Sequence, residues 1–203
     1  MPGQAKLYLP KFRVSFPSVF ETQKLRDGTD TKKYTVTALF DLAELKTQPA
    51  ELAKVQALNT ALQKLHKDSY PTLPVPTFLK KGEDKITAEG KPYDGYHKGI
   101  VYIAMNSQRR PGIVGRDGKT PILTEDGFYA GCYALAQVHI YKWRAYKGVG
   151  VGLDFLQFVT DGEPLGGGAG SIDGVFDAIS SPDDNILGEQ EAPATDDMES
   201  FLG

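Results

Sequence analysis

The chain has 203 residues, 40% of them hydrophobic and 10% aromatic, with a formal net charge of −3. No apolar run approaches the ~20 residues of a membrane-spanning helix; the single cysteine, Cys132, excludes an internal disulfide, and with three histidines (66, 97 and 139) it leaves too few soft ligands for a structural zinc site. The charge is unevenly divided: all 23 Lys and Arg precede residue 171, whereas residues 171–203 hold nine Asp and Glu, so a body of +6 carries a tail of −9.

The N-terminal "MPGQAKLYLPKF" has neither the basic start nor the apolar stretch of a signal peptide, which predicts a cytoplasmic protein. In "KFRVSF" Phe12, Val14 and Phe16 alternate with Lys11, Arg13 and Ser15, the pattern of a half-buried strand. In "KKYTVTALF" Tyr34, Val36, Ala38 and Phe40 share one face against Lys33, Thr35 and Thr37. "PAELAKVQALNTALQKLH" then places Leu52, Val55, Leu58, Leu62 and Leu65 at helical spacing, with Pro49 in the first turn, so one stripe of a helix over about 50–66 packs on the sheet.

From Tyr70 to Tyr96 the chain is too rich in Pro, Gly and Lys for a central element and reads as a long surface excursion, of the kind that is functional or mobile. "GIVYIAM" (99–105) is a more fully buried strand. These segments predict an all-β body with a helical insertion. "LGGGAG" (165–170) breaks all periodicity, and the acidic stretch beyond it cannot bury enough surface to offset chain entropy. The predicted division is a folded domain over 1–168 and a flexible, disordered acidic tail over 169–203.

Residues 129–143, "YAGCYALAQVHIYKW", carry the most chemistry. With period two, Ala130, Cys132, Ala134, Ala136, Val138 and Ile140 form a small apolar face suited to the interior of a small barrel. The other face holds Tyr133, Leu135, Gln137, His139, Tyr141 and Trp143 and runs into Arg144, Tyr146 and Lys147. Such a face either packs against a loop or partner subunit, or offers a platform on which nucleobases stack, each worth ~1–3 kcal/mol, while nearby cations hold the phosphates. Arg13 and Lys33 on the first strands, and Arg109, Arg110 and Arg116 in "NSQRRPGIVGRDGKTPI", are further candidate phosphate contacts. In "KGVGVGLDFLQF" Gly148, Gly150 and Gly152 leave one face bare, which permits sharp curvature or the close approach of a backbone or ligand.

Catalytic patterns fail on spacing. "GIVGRDGKT" lacks the first glycine of a P-loop, and Pro121 follows Thr120 where the helix would continue. Cys132 and His139 are seven apart on one strand, hence on opposite faces, and cannot pair as nucleophile and base. Asp117, Asp154 and Asp161 are too scattered for a nuclease. No metal or cofactor is implied.

The run "RPGIVGRDGKTPI", "FYAGCYALAQVHIYKW" and "KGVGVGLDFLQFVTDGEPLGG", with "FRVSFPSVFE" near the N-terminus, resembles the phage single-stranded DNA-binding proteins of the OB-fold type, a family long catalogued as a domain of unknown function. The resemblance implies an OB-type antiparallel barrel that coats and protects single strands during phage DNA replication and recombination in the host cytoplasm, without enzymatic activity. It also implies an acidic tail for phage or host replication proteins, with Asp196, Asp197, Met198, Glu199 and Phe201 as the partner-binding residues. Here Leu202 and Gly203 follow Phe201, a departure from tails that finish on phenylalanine. A tethered polyanion also competes with DNA for a cationic surface. A non-enzymatic interaction module of the replication machinery is the alternative, and a homo-oligomer stays open.

Overall fold

The computed structural model describes residues 6–25, 27–143 and 147–166. Strands β1 (Leu7–Tyr8), β2 (Phe12–Ser18) and β3 (Tyr34–Asp41) come first, followed by helices α1 (Leu42–Lys46) and α2 (Pro49–Ser69). The chain continues through β4 (Lys80–Lys81), β5 (Ile100–Ser107), β6 (Gly112–Val114), β7 (Tyr133–Lys142) and β8 (Val149–Thr160). The sheet order is β1-β7-β2-β3-β5-β8-β6, and a further pairing of β7 with β8 closes β2, β3, β5, β8 and β7 into a five-stranded barrel. Within it only β5 and β8 run parallel, with Met105 opposite Val151. This is the OB arrangement, with α2 inserted between the second and third barrel strands.

The alternating pattern fills the interior. Val14, Val36, Ala38, Met105, Ala134, Ala136, Val138, Val151, Leu153 and Leu156 are all buried, and Phe12 meets Phe40 edge to face at 6.0 Å. Alanines on β7 make room for these rings in so narrow a barrel. Val55, Leu58 and Leu62 are the buried stripe of α2, with Leu52 and Leu65 partly buried against the same core and His66 added at its end. Asp41 caps α1 by accepting from the backbone N–H of Ala43 at 2.7 Å.

Three features differ from the sequence expectation. At Phe16 the alternation breaks: the β2–β3 register slips between Ser15 and Ser18, Ser15 is buried and Phe16 turns outward. On β3 the opposite face is also covered, because Thr37 and Leu39 are buried and Leu39 packs with Tyr96 and Ile100 in a second small core. The excursion over 70–96 therefore does not stay on the surface. Its end lays Tyr96 on the barrel wall, where the phenol donates to Ser15 Oγ at 3.1 Å and burial pushes its pKa up to about 12. Finally, β5 is not buried on both sides, for Ala104 is exposed between Ile103 and Met105.

The segments that carry the family resemblance meet in one seam. Tyr129 donates its hydroxyl to Gly162 O at 3.0 Å, Leu165 N–H donates to Ala130 O at 2.9 Å, and Arg13 Nη2 donates to Glu163 O at 2.7 Å. Asp117 closes the neighbouring turn by accepting from the Thr120 hydroxyl and from the N–H groups of Lys119 and Thr120, which together hold its carboxyl below the usual range.

Candidate nucleic-acid interface

One face of β7 is core as the spacing predicts: Cys132, Ala134, Ala136 and Val138 are buried. Burial pushes the Cys132 thiol up to about 11, so the thiolate is scarce at neutral pH. Thiol reagents should accordingly label Cys132 only when denaturant unfolds the barrel, a result read by mass spectrometry across a denaturant series.

The opposite face does not form one continuous platform. Tyr133 lies six residues from His139, about 20 Å along a strand, and sits under Lys11, whose Nζ is 5.3 Å from the ring centroid. Gln137 lies between them and donates to the Tyr8 hydroxyl at 2.6 Å. At the far end His139, Tyr141 and Trp143 gather over β8. His139 stands opposite Gly152 and Tyr141 opposite Gly150, and the backbone N–H of Trp143 donates to Gly148 O.

These pairings explain the bare glycine face. A Cβ on Gly152 would lie 2.2 Å from His139 Nε2, and one on Gly150 would lie 2.7 Å from Trp143 Nε1 and 3.2 Å from the Tyr141 ring. The glycines are seats for the chain's own rings, the cross-strand arrangement in which an aromatic covers a glycine. Two of the seats are locked: His139 Nδ1 is 2.8 Å from Asp154 Oδ1, and Tyr141 donates its hydroxyl to Asn106 Oδ1 at 2.8 Å. Trp143 stays 45% exposed. Ring faces are thus held in place at the solvent boundary, so little rotamer entropy remains to be lost when a flat ligand stacks on them.

The basic candidates divide by what their side chains do. Arg13 ties β2 to the seam; Arg110 donates to Leu123 O at 3.0 Å and lies over Phe20; Arg116 donates to Thr160 Oγ1 at 3.0 Å and lies over Phe158. Each guanidinium has five N–H donors, so these bonds fix the arginines without exhausting them. Lys33, Arg109 and Lys147 are exposed. Lys33 ends the loop between the first two barrel strands, and Trp143 and Lys147 belong to the loop between the last two, the loops that with the second and third strands make the oligonucleotide-binding surface of OB folds. Arg144 and Tyr146, in that last loop, and the tail residues Asp196, Asp197, Met198, Glu199 and Phe201 lie outside the described residues.

The sequence identified the three rings but not their supports. Asp154 and Asn106 have no motif, and their signal is only the register of three strands. The alternation of glycines in "KGVGVG" with aromatics in "HIYKW" was the available clue.

Fold and site together define a small OB-type barrel with an aromatic face and flanking cations, a binding surface with no catalytic constellation among the described residues. The family model described as "Enterobacter phage Enc34, ssDNA-binding protein" matches residues 5–186, and the chain belongs to that family of phage single-stranded DNA-binding proteins, which bind and do not catalyse. A putative protein p50 from Acyrthosiphon pisum secondary endosymbiont phage 1 is 29% identical over 191 residues, covering 90% of this chain and 98% of that one. Two solved structures share the fold. The single-stranded DNA-binding protein of bacteriophage Enc34 is 18% identical with a TM-score of 0.59, covering 85% of this chain and 90% of its own. The same Enc34 protein in complex with ssDNA gives a TM-score of 0.61 at 18% identity, covering 79% of this chain and 89% of its own.

Proposed function

We propose that this chain coats and protects single-stranded DNA, without regard to sequence, during phage DNA replication and recombination. The observation that carries the proposal is the ring group of His139, Tyr141 and Trp143 seated over Gly148, Gly150 and Gly152, with His139 and Tyr141 held by Asp154 and Asn106, at the edge of the loop holding Arg144 and Lys147. Every base presents a π-face, so stacking tolerates any sequence, and phosphate contacts supply affinity that falls with salt. Family membership and the shared fold with a protein solved in complex with ssDNA support the same ligand.

The acidic segment from 171 to 203 then acts as an internal competitor for the cationic surface, and once a long strand displaces it, Phe201 and Met198 serve as apolar anchors for another replication protein. Fluorescence anisotropy of a labelled oligo-dT tests the cationic surface and the competition. Replacing Lys147 or Arg144 with alanine should shallow the salt slope by about 0.7 for each phosphate of a single strand that is no longer neutralised. Removing 171–203, and with it nine negative charges, should raise affinity most at low salt, because at 0.15 M the Debye length of ~8 Å screens tail and DNA alike. Unchanged binding at low salt would reduce the segment to a solubilising end. Binding that ignores salt altogether would exclude a phosphate-binding surface.

A further inference from the structure

A second group of rings lies on the outer wall of the barrel, on elements other than β7. Inside the β2 bulge Phe16 has φ of +45°, a left-handed conformation that a non-glycine residue keeps only where the surrounding structure over-determines it. It holds the Phe16 ring 43% exposed, edge-on to Tyr93 at 5.3 Å and tilted to Tyr96 at 6.0 Å. Lys85, from the excursion that precedes β5, brings its ammonium to 4.2 Å from the Phe16 centroid, 4.9 Å from that of Tyr96 and 5.3 Å from that of Tyr102.

That ammonium has no carboxylate within 4 Å among the described residues. Burial, and then the neighbouring charge of Lys80, lower the Lys85 pKa, so the site holds a partly desolvated cation next to a second cation. The carboxylate of Asp84 acts on Tyr102, whose hydroxyl is raised first by burial and then by that charge. Ring attraction offsets part of the cost of the Lys85 charge; an anion would offset more.

Strand β5 links the two ring groups. Tyr102, Ala104 and Asn106 stand on the same face of β5, and Asn106 is the acceptor for Tyr141. About 13 Å of strand, with the small exposed Ala104 midway, separates Tyr102 from Asn106. Thr35 and Thr37 of β3 lie opposite Asn106 and Ala104, so nothing bulky on that strand interrupts the path.

We propose that Phe16, Tyr102 and Lys85 form a second station for the same single strand, with the Phe16 ring stacking on a base and the Lys85 ammonium taking an adjacent phosphate. The proposal rests on the assignment of the β7 rings to single-stranded DNA. The strand would run along the outer face of β5 between the two stations.

The informative variant is Phe16→Gly, which removes the ring and takes a positive φ without strain. Binding should be measured by anisotropy with oligo-dT of about four and about sixteen nucleotides, the span of OB-fold site sizes, alongside thermal melting. The longer strand should bind Phe16→Gly about tenfold more weakly, in line with the removal of one stacked base, and the advantage of the longer strand over the shorter should shrink, while the melting temperature holds. Lys85→Met, which keeps the apolar stem, should shallow the salt slope by about 0.7 on the longer strand. If both variants bind the longer strand as the parent does while Trp143→Ala weakens it, the second station is overturned and the β7 site stands. A lowered melting temperature with unchanged affinity for both variants would likewise overturn it, leaving the cluster as a staple that holds the excursion on the barrel. If Trp143→Ala also binds normally, the β7 assignment falls with it.

Discussion

Gly150→Val should weaken single-strand binding as much as removing Tyr141 and Trp143 together, although valine at 150 would touch no strand. The reason is steric: a Cβ at 150 falls 2.7 Å from Trp143 Nε1 and 3.2 Å from the Tyr141 ring, and the two γ-methyls of valine reach further into both, so neither ring can keep its seat. Each stacked base is worth about 1–3 kcal/mol, which puts the expected loss beyond that of Trp143→Ala alone. The barrel should survive, since valine suits a strand and glycine in a strand interior is itself unfavourable. Binding isotherms and melting curves on the same variant separate these effects. Normal melting with weakened binding supports the ring seats, whereas normal binding means that ring position is immaterial.

The largest loss of stability is expected from Gly131→Ala. Gly131 has φ of +113°, and a Cβ there would lie 2.1 Å from the Glu163 carbonyl oxygen and 2.8 Å from Pro164 Cα. Both obstacles are backbone, so no side-chain rotation relieves the clash, and the conformation alone costs a non-glycine residue about 1–3 kcal/mol. The 161–165 segment would have to move, taking with it the bonds from Arg13, Tyr129 and Leu165 that close the seam. Denaturant unfolding should show a lower midpoint with an unchanged slope, the signature of reduced stability in an otherwise similar fold. A parent-like midpoint would mean that the seam contributes nothing.

The barrel was legible because its inner face obeys period two over long strands: Val36, Ala38 and Phe40, and again Ala134, Ala136 and Val138, point to the core as spacing requires. Helix α2 was legible for the same reason at the helical period, with Val55, Leu58 and Leu62 buried. What escaped is non-local. Phe16 obeys the alternation in sequence and leaves it in space, because a bulge in a strand is set by its partner's register. Tyr96 and Lys85 sit among Pro, Gly and Lys, where composition reads as surface, yet long-range packing buries Tyr96 and surrounds Lys85 with rings. The glycines of β8 could be seen to leave a bare face, but that the chain's own rings fill it depends on pairing with β7. The basic residues were legible only as a set, since nothing in the sequence separates Arg13, tied to Glu163, from Lys147, which is exposed.

Trp143 is the chain's one tryptophan and is 45% exposed in the ring group, so its emission reports on that surface directly. Titrating the full chain with oligo-dT and with oligo-dC, while following emission and the anisotropy of the labelled strand together, should give saturable quenching that coincides with binding. The midpoints should be similar for the two sequences and should shift to higher concentration as salt is raised. Anisotropy that reports a bound strand while the emission of Trp143 stays unchanged would contradict the assignment, because the bases would then be held elsewhere on the barrel.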